Sequence, residues 1–409
     1  MVRRAPRILL VHDNFPAQFG GLGSWLVGQG WDVAFATAAA VADAGPMRIL
    51  RYGRHRTPSA ATHPYAQPMD RAAINAQGFV RAALAARRDG YRPDVVVAHS
   101  GWGAGMFAKD VFPEAAFVAY CEWWYRHPAA DVEYLDRLEG RVAAAAVEAP
   151  MHERARNAPI AMDLSASDAA ICPTAFQAGQ FPPVFRRHLS VMHDGIDTGY
   201  FRPSAEGGRS TLGGLVAEDA RVVSYATRGM EPHRGFPQFM AALPAVLAAD
   251  PKAVAVIAGE NRVVYGGERL RGIDWKARAM VENDLDPARV HFVGRLGAAD
   301  YLRLLQRSSA HVYLTVPFVL SWSMLEAMSA GCALALSDTE PVREHADEGS
   351  AILVDLARPT TIAEAVLELA AVPPGRDPRR GRARERVREA LSAERQHRRK
   401  AALFTGLLG

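Results

Sequence analysis

The 409-residue chain has little of what marks several large protein classes. Its three cysteines, Cys121, Cys172 and Cys332, lie far apart, each inside an apolar run. That excludes a disulfide framework and offers no zinc-ligand spacing, so all three read as buried thiols. No stretch approaches the roughly 20 uninterrupted apolar residues of a bilayer span, and the opening MVRRAPRILLVHD lacks a signal-peptide core and cleavage site. A cytoplasmic location is therefore expected. No repeat of solenoid period occurs. The dinucleotide fingerprint GxGxxG is missing after the first strand pattern, and WDVAFAT does not end in the acid that would hold an adenosine ribose, which weighs against a nicotinamide dehydrogenase.

Charge is sparse and uneven. The net value is +4, yet Arg376 to Lys400 alone holds 11 basic and 4 acidic residues, so the rest of the chain is slightly acidic. A nucleic-acid-binding body would carry its basic stripe through the folded domain, so no nucleic-acid partner is expected. The basic segment reads as a solvated helix face, with peripheral contact to anionic lipid as the sharper alternative.

What remains, 49% hydrophobic and 22% charged, suits a globular enzyme of two or three domains. Runs rich in Val, Ile and Ala alternate with helical patterns, and strands apolar at every position mark parallel sheets covered on both faces. Strands are predicted at Arg7–His12, Asp32–Ala36, Arg48–Tyr52, Asp94–Ala98, Ala116–Tyr120, Ala169–Cys172 and Leu189–Met192. A second series falls at Arg221–Tyr225, Ala253–Ala258, Val290–Phe292, Ala310–Leu314, Ala333–Leu336 and Ala351–Val354. One open sheet rarely exceeds about 10 strands, so the expected fold class is α/β with two doubly wound Rossmann-like domains. The turn residues of HDGIDTGYFRP and the Gly/Ser-rich stretch after it place the boundary near His193–Pro203.

Ligands of doubly wound sheets bind beyond the carboxyl ends of the strands. After the first strand, Gly20, Gly21 and Gly23 precede a helix and either admit an anion to backbone N–H groups or make a tight structural turn. His99 ends an apolar strand and reads as a hydrogen-bonding or acid/base group, or as a satisfied core histidine. Downstream, Glu122 with Trp123, Trp124 and Tyr125 reads as a carboxylate beside aromatic walls for a sugar or apolar acceptor, or as core packing. In SYATRGMEPHRGF, Arg228 and Arg234, beside Gly229 and Gly235, form a candidate diphosphate clamp on the loop and helix start after a strand; a pair of solvated arginines is the plain alternative. The loop IAGENRVVYGG is a weaker candidate for the same place. In LTVPFVLSWSMLEAMSAGC, Ser321-Trp-Ser323 opens a helix whose free N–H groups suit a phosphate, and Glu326 in its first turn reads either as a ribose ligand or as the partner of Ser323 in a capping box.

Taken together, HDNFPAQF, AHSGWG, DLSASDAAICPTAFQAGQFP, HDGIDTGYF, GRLGAADYLRLLQRSSAHVYLTVPFVLSWSMLEAMSAGC and SDTEPVRE resemble the retaining GT-B glycosyltransferases of family four, in particular a bacterial subgroup, over nearly the whole chain. The resemblance implies two Rossmann-like domains facing across a cleft: residues 1–195 on the acceptor side, 196–384 holding a nucleotide-sugar, and 385–409 as a helical segment returning to the first. It implies that Arg228 contacts the donor diphosphate and that Arg234 stands where the family places a lysine, with His233 as a rival because the spacing is one residue longer. It further implies that Glu326 binds the ribose, that His99 contacts the transferred sugar, and that Gly20 and Gly21 form a turn near the phosphates. Arg295 and the Ser321, Trp322, Ser323, Met324, Leu325 segment complete the implied donor site. Phe318 departs from the pattern, since many relatives carry a Glu there. The implied reaction is metal-independent, cofactor-free transfer from a UDP- or GDP-sugar to a hydroxyl of a glycan, lipid-linked or natural-product acceptor. An inactive homologue that binds nucleotide or glycan as a partner subunit, or an epimerase of the same architecture, is the alternative.

Overall fold

A computed structural model describes residues 4–141, 148–204, 210–265, 270 and 272–409. The chain divides into two compact units. The first comprises Met1–Ala129, Ala145–Gly195 and Ala393–Gly409, the second Ala130–Ala144 and Ile196–Ser392.

The first unit holds β1 (Arg7–Val11), β2 (Asp32–Thr37), β3 (Arg48–Arg51), β4 (Val95–His99), β5 (Ala116–Tyr120), β6 (Ala169–Cys172) and β7 (Leu189–Val191). They form one parallel sheet in the order β3-β2-β1-β4-β5-β6-β7. The second holds β8 (Arg221–Gly229), β9 (Ala253–Glu260), β10 (Val290–Gly294), β11 (Ala310–Tyr313), β12 (Leu334–Ser337) and β13 (Ile352–Val354), again all parallel, in the order β10-β9-β8-β11-β12-β13. Both are doubly wound sheets of the Rossmann kind, and every strand expected from the apolar runs is present. β4 is buried along its whole length, as a strand covered on both faces must be. Strand order reverses between β1 and β4 in one sheet and between β8 and β11 in the other, so the loops after those four strands border the two switch points.

The units are not consecutive runs of chain. Helix Ala130–Leu138 belongs to the second because Tyr134 and Leu138 pack on that unit's core and Asp131 is 3.3 Å from His233. Residues up to Ser392 stay there because Ala383, Val387 and Leu391 lie in a core cluster with Met324 and Met328. Only Ala393–Gly409 lies in the first unit, not the longer 385–409. Its helix Ala393–Gly406 brings Phe404 into the cluster of Leu10, Phe35 and Val97. It also buries Lys400, whose ammonium is 3.1 Å from Asp194 Oδ1, while the Tyr120 hydroxyl donates to Asp194 Oδ2 at 2.9 Å.

The expectation of a solvated basic face is corrected in part. Arg384 donates to the carbonyls of Ser329 and Phe201, and Arg380 to that of Gly331, so these cations satisfy carbonyls at and just past the end of helix Trp322–Ser329 and, at Phe201, one of the segment after Ile196. Arg382 and Arg395 are exposed. The three cysteines are free and buried, as expected.

Removing one partner of a buried ion pair costs about 3–5 kcal/mol, because the other charge is left unpaired in a low-dielectric interior. Lys400→Met should therefore loosen the last helix locally. Hydrogen exchange should show faster exchange of amides in Ala393–Gly406 with little change in β8–β13; unchanged protection would mean that Asp194 is compensated by its other partners, Tyr120 among them.

Candidate active site

At the first switch point, β1 delivers His12 and β4 delivers His99. Their rings meet edge-on with centroids 4.7 Å apart, and the Trp102 ring lies 6.0 Å from His99. His99 Nδ1 is 3.0 Å from the Ser100 carbonyl, an acceptor only, so Nδ1 is the donor. Its Nε2 stands 3.5 Å from Glu122 Oε2, and Glu122 Oε1 accepts from Gln18 at 3.2 Å. The histidine and carboxylate singled out in the sequence thus come together. Burial, reinforced by neighbouring His99, pushes the His12 ring down to about 3, so it is neutral at physiological pH.

Sequence reasoning missed the groups behind them. Asp163, fully buried on helix Ala158–Ala166, accepts from Ser100 Oγ at 2.8 Å, and burial pushes its carboxyl up to about 7 against the pull of the Ser100 and Gly101 donors. Asp13 accepts from the Tyr52 hydroxyl at 2.7 Å, Arg54 at 2.5 Å and Asn75 at 2.5 Å. Gly20 and Gly21 are not a turn. Both lie in the first turn of helix Gly20–Gly28, the Gly20 amide donates to Pro16, and a Cβ on Gly20 would stand 2.4 Å from Pro16 Cβ.

At the second switch point the arginines part company. β8 runs four residues beyond its predicted end, through a register shift between Ala226 and Gly229. Arg228 therefore lies on the strand, exposed, and its side chain makes no hydrogen bond to a described residue. Arg234 ends a 3-10 turn, Pro232–Arg234, and is 6% exposed. Its Nη1 donates to Thr315 Oγ1 at 2.9 Å and to the Val319 carbonyl at 3.1 Å, and the guanidinium lies 5.1 Å over the Tyr265 ring. None of these partners is anionic, and among the described residues Arg234 has no carboxylate within ion-pair distance. Gly235 makes the turn possible: its φ is +63°, and a Cβ there would lie 2.5 Å from Leu314 Cβ.

Beside Arg234 stand Glu231, which the sequence did not single out, and Tyr265, Phe318 and His233, which belong to places it did. Buried Glu231 accepts from the Val264 and Tyr265 amides through Oε2, at 2.5 and 2.9 Å, which fixes Tyr265 in place. Phe318 packs edge-on against Tyr265 at 5.0 Å and stands 6.1 Å from His233. His233 faces Asp131 through Nε2, and its buried Nδ1 has no hydrogen-bond partner among the described residues.

The helix after β11 starts at Trp322, capped by Ser321, whose hydroxyl accepts from the Ser323 amide at 3.3 Å. This corrects two expectations. The cap is Ser321 and not a Ser323–Glu326 box, and Glu326, fifth in the helix, lies beyond its first turn. The Ser321 amide donates to the Tyr313 hydroxyl and the Met324 amide to the Ser321 carbonyl, so several of the segment's backbone donors are engaged within the chain. The side chains of Met324 and Leu325 are core, whereas Trp322 is exposed. Glu326 is half-buried, and burial pushes its carboxyl up to about 7, with the Tyr301 hydroxyl opposing the shift. Arg295 is exposed just after β10. No three His, Cys, Asp or Glu side chains converge as metal ligands among the described residues, and no helix there is long and apolar enough to cross a membrane.

Two Rossmann-like units make up the GT-B architecture, and comparison with known proteins supplies the family. Residues 29–201 match the family described as glycosyl transferase family 4 group, and residues 220–371 match glycosyl transferases group 1. The chain belongs to the family-four glycosyltransferases. Sucrose-phosphate synthase of Thermosynechococcus elongatus is similar in structure, with a TM-score of 0.71 and 17% identity over 98% of this chain and 99% of that one. Anabaena HepE, solved with UDP and glucose, superposes with a TM-score of 0.70 and 12% identity over 98% and 100%. A glycosyltransferase from Rickettsia africae gives 0.70 and 13% over 99% of both chains. No curated protein matches the sequence significantly.

The raised Glu326 carboxyl has a testable consequence. A native value near 7 against an ordinary 4.5 means that the folded protein binds the proton more tightly, so stability falls as pH rises from about 4.5 to about 7. Glu326→Gln removes that penalty. Its melting temperature should converge on wild type at the acid end of the window and exceed it at the neutral end, and parallel curves would show a solvated carboxylate.

Proposed function

We propose that the chain transfers a sugar, with retention of anomeric configuration, from a nucleoside-diphosphate sugar to a hydroxyl acceptor, and that it does so without a metal ion. The observation that carries this reading is Arg234, a buried guanidinium held by neutral oxygens at a switch point. No described carboxylate lies within ion-pair distance of it, although Glu231 acts on it from farther off; a buried cation so placed is costly, and a diphosphate supplies a close counter-charge. Exposed Arg228, on the same strand-to-turn segment, is the second cation of the clamp. HepE is solved with UDP-glucose as well as with UDP and glucose, which makes UDP-sugars the first donors to test, with the GDP-sugars expected from the sequence beside them.

As the bond between the anomeric carbon and the diphosphate oxygen breaks, negative charge builds on the leaving group, and preorganised cations stabilise it more than they stabilise the bound donor. The acceptor oxygen bonds to the anomeric carbon on the face the diphosphate leaves, and its proton passes to a leaving phosphate oxygen. No carboxylate nucleophile is required. His99 offers Nε2 to a hydroxyl of the transferred sugar, with Nδ1 pinned by Ser100, and Glu326 accepts from the ribose hydroxyls.

Phe318 favours one rival, an inactive homologue, because an apolar ring gives no hydrogen bond to a sugar. A panel of donors assayed in excess chelator, with and without acceptor alcohols, separates the readings. Acceptor-dependent nucleotide release supports transfer, acceptor-independent release an epimerase, and none an inactive homologue.

Arg234→Ala and Arg228→Ala should each weaken UDP or GDP binding by about 1.5–3 kcal/mol in calorimetry. Because Arg228 is exposed, its variant should melt like wild type, and unchanged affinity there would remove it from the site.

His99→Ala should lower kcat while leaving affinity for the bare nucleoside diphosphate intact. A purely structural histidine would instead lower stability, binding and turnover together.

A further inference from the structure

A cavity of about 540 Å³ opens in the first unit, between the segment that follows β5 and the turn that follows helix Ala175–Gly179. Its volume is ordinary for a small-molecule site. One wall is aromatic: the Trp124 ring lies 5.6 Å from buried Phe181 and 5.4 Å from Phe185. The floor is preorganised, because Asn157, itself buried, accepts from the Tyr125 amide at 2.9 Å and donates to its carbonyl at 2.7 Å.

The rim is cationic and unbalanced. Arg126, Arg154 and Arg186 line the cavity, all exposed, and none of their side chains makes a hydrogen bond or ion pair with a described residue. The one acid in the lining, Glu153, is 3.1 Å from Arg156, which in turn stacks 3.5 Å over the Tyr125 ring. Its charge is therefore already matched, and three guanidiniums surround an aromatic-walled space without a counter-anion among the described residues.

We propose that this cavity binds an anionic sugar, a ring bearing a phosphate, as the acceptor. The ring's C–H face packs on Trp124, which Phe181 backs from within the core, and the phosphate takes charge-assisted hydrogen bonds from the rim arginines. This rests on the transferase reading, which requires an acceptor with hydroxyls; the charge and the ring come from the cavity. The segment that builds it starts two residues beyond Glu122, the carboxylate facing His99, and the Gln177 amide holds the Glu122 carbonyl at 2.7 Å, so the same elements set both places.

The test is calorimetry on the full chain with glucose, mannose and fructose 6-phosphates, their parent hexoses and inorganic phosphate. At least one hexose phosphate should bind about tenfold or more tighter than both its parent and phosphate alone. An Arg154→Ala, Arg186→Ala double variant should lose about tenfold or more of that affinity while binding UDP or GDP like wild type, which also shows that it is folded. The proposal is overturned if no hexose phosphate binds, if the double variant binds it equally well, if inorganic phosphate binds as tightly, or if phosphatidylglycerol vesicles bind where sugar phosphates do not. Failure of the transferase reading looks different: no donor then releases nucleotide with any acceptor, whatever the cavity binds. Transfer to neutral acceptors without sugar-phosphate binding removes this proposal and leaves the transferase.

Discussion

A parallel sheet covered on both faces has no room for chemistry along its strands, so reactive side chains are driven to the carboxyl edge, and strand order decides which loops meet there. In both sheets that constraint selects the loops after the first and fourth strands of the unit. It brings His12 to His99 in one and Arg234 to Thr315 in the other, across sequence separations that no local pattern announces. The rest of each site is support for this placement: Ser100 pins His99, Glu231 holds Tyr265 beneath the guanidinium, and Gly235 lets the turn reverse beside Leu314.

The legible part of the sequence was whatever depended on local burial. Ala116–Tyr120 and Ala169–Cys172 were readable to the residue, the second because its apolar run is bounded by Asp168 and Pro173. β8 was not, since Thr227 and Arg228 near its end are polar and look like loop; they form the irregularity beyond which the ladder with β9 resumes at Gly229. Likewise Ser323-x-x-Glu326 has the spacing of a capping box, but the serine two residues earlier captures the cap, because its hydroxyl reaches the Ser323 amide first. A motif gives spacing and not the starting residue of the helix, and that alone moved Glu326 out of the first turn.

Long-range polar pairs left no trace at all. Lys400 sits in a run of arginines and looks solvated until the structure places it on Asp194, and Asp163 is one acid on a short helix until Ser100 is found against it. Helix Ala130–Leu138 was equally silent, because its amphipathic pattern says that it packs on something without saying on which unit. Arg228 and Arg234 read alike in sequence; only burial separates an exposed cation from one already shut away from water.

The first unit borrows its last structural piece from the far end of the chain. Phe404 and Lys400 complete a core whose other members, Leu10, Phe35 and Tyr120 among them, are translated hundreds of residues earlier. On the ribosome, then, the order of completion is reversed: the second unit has all of its strands and its core while the first still exposes an open apolar groove and a buried-to-be carboxylate. The domain made first is finished last.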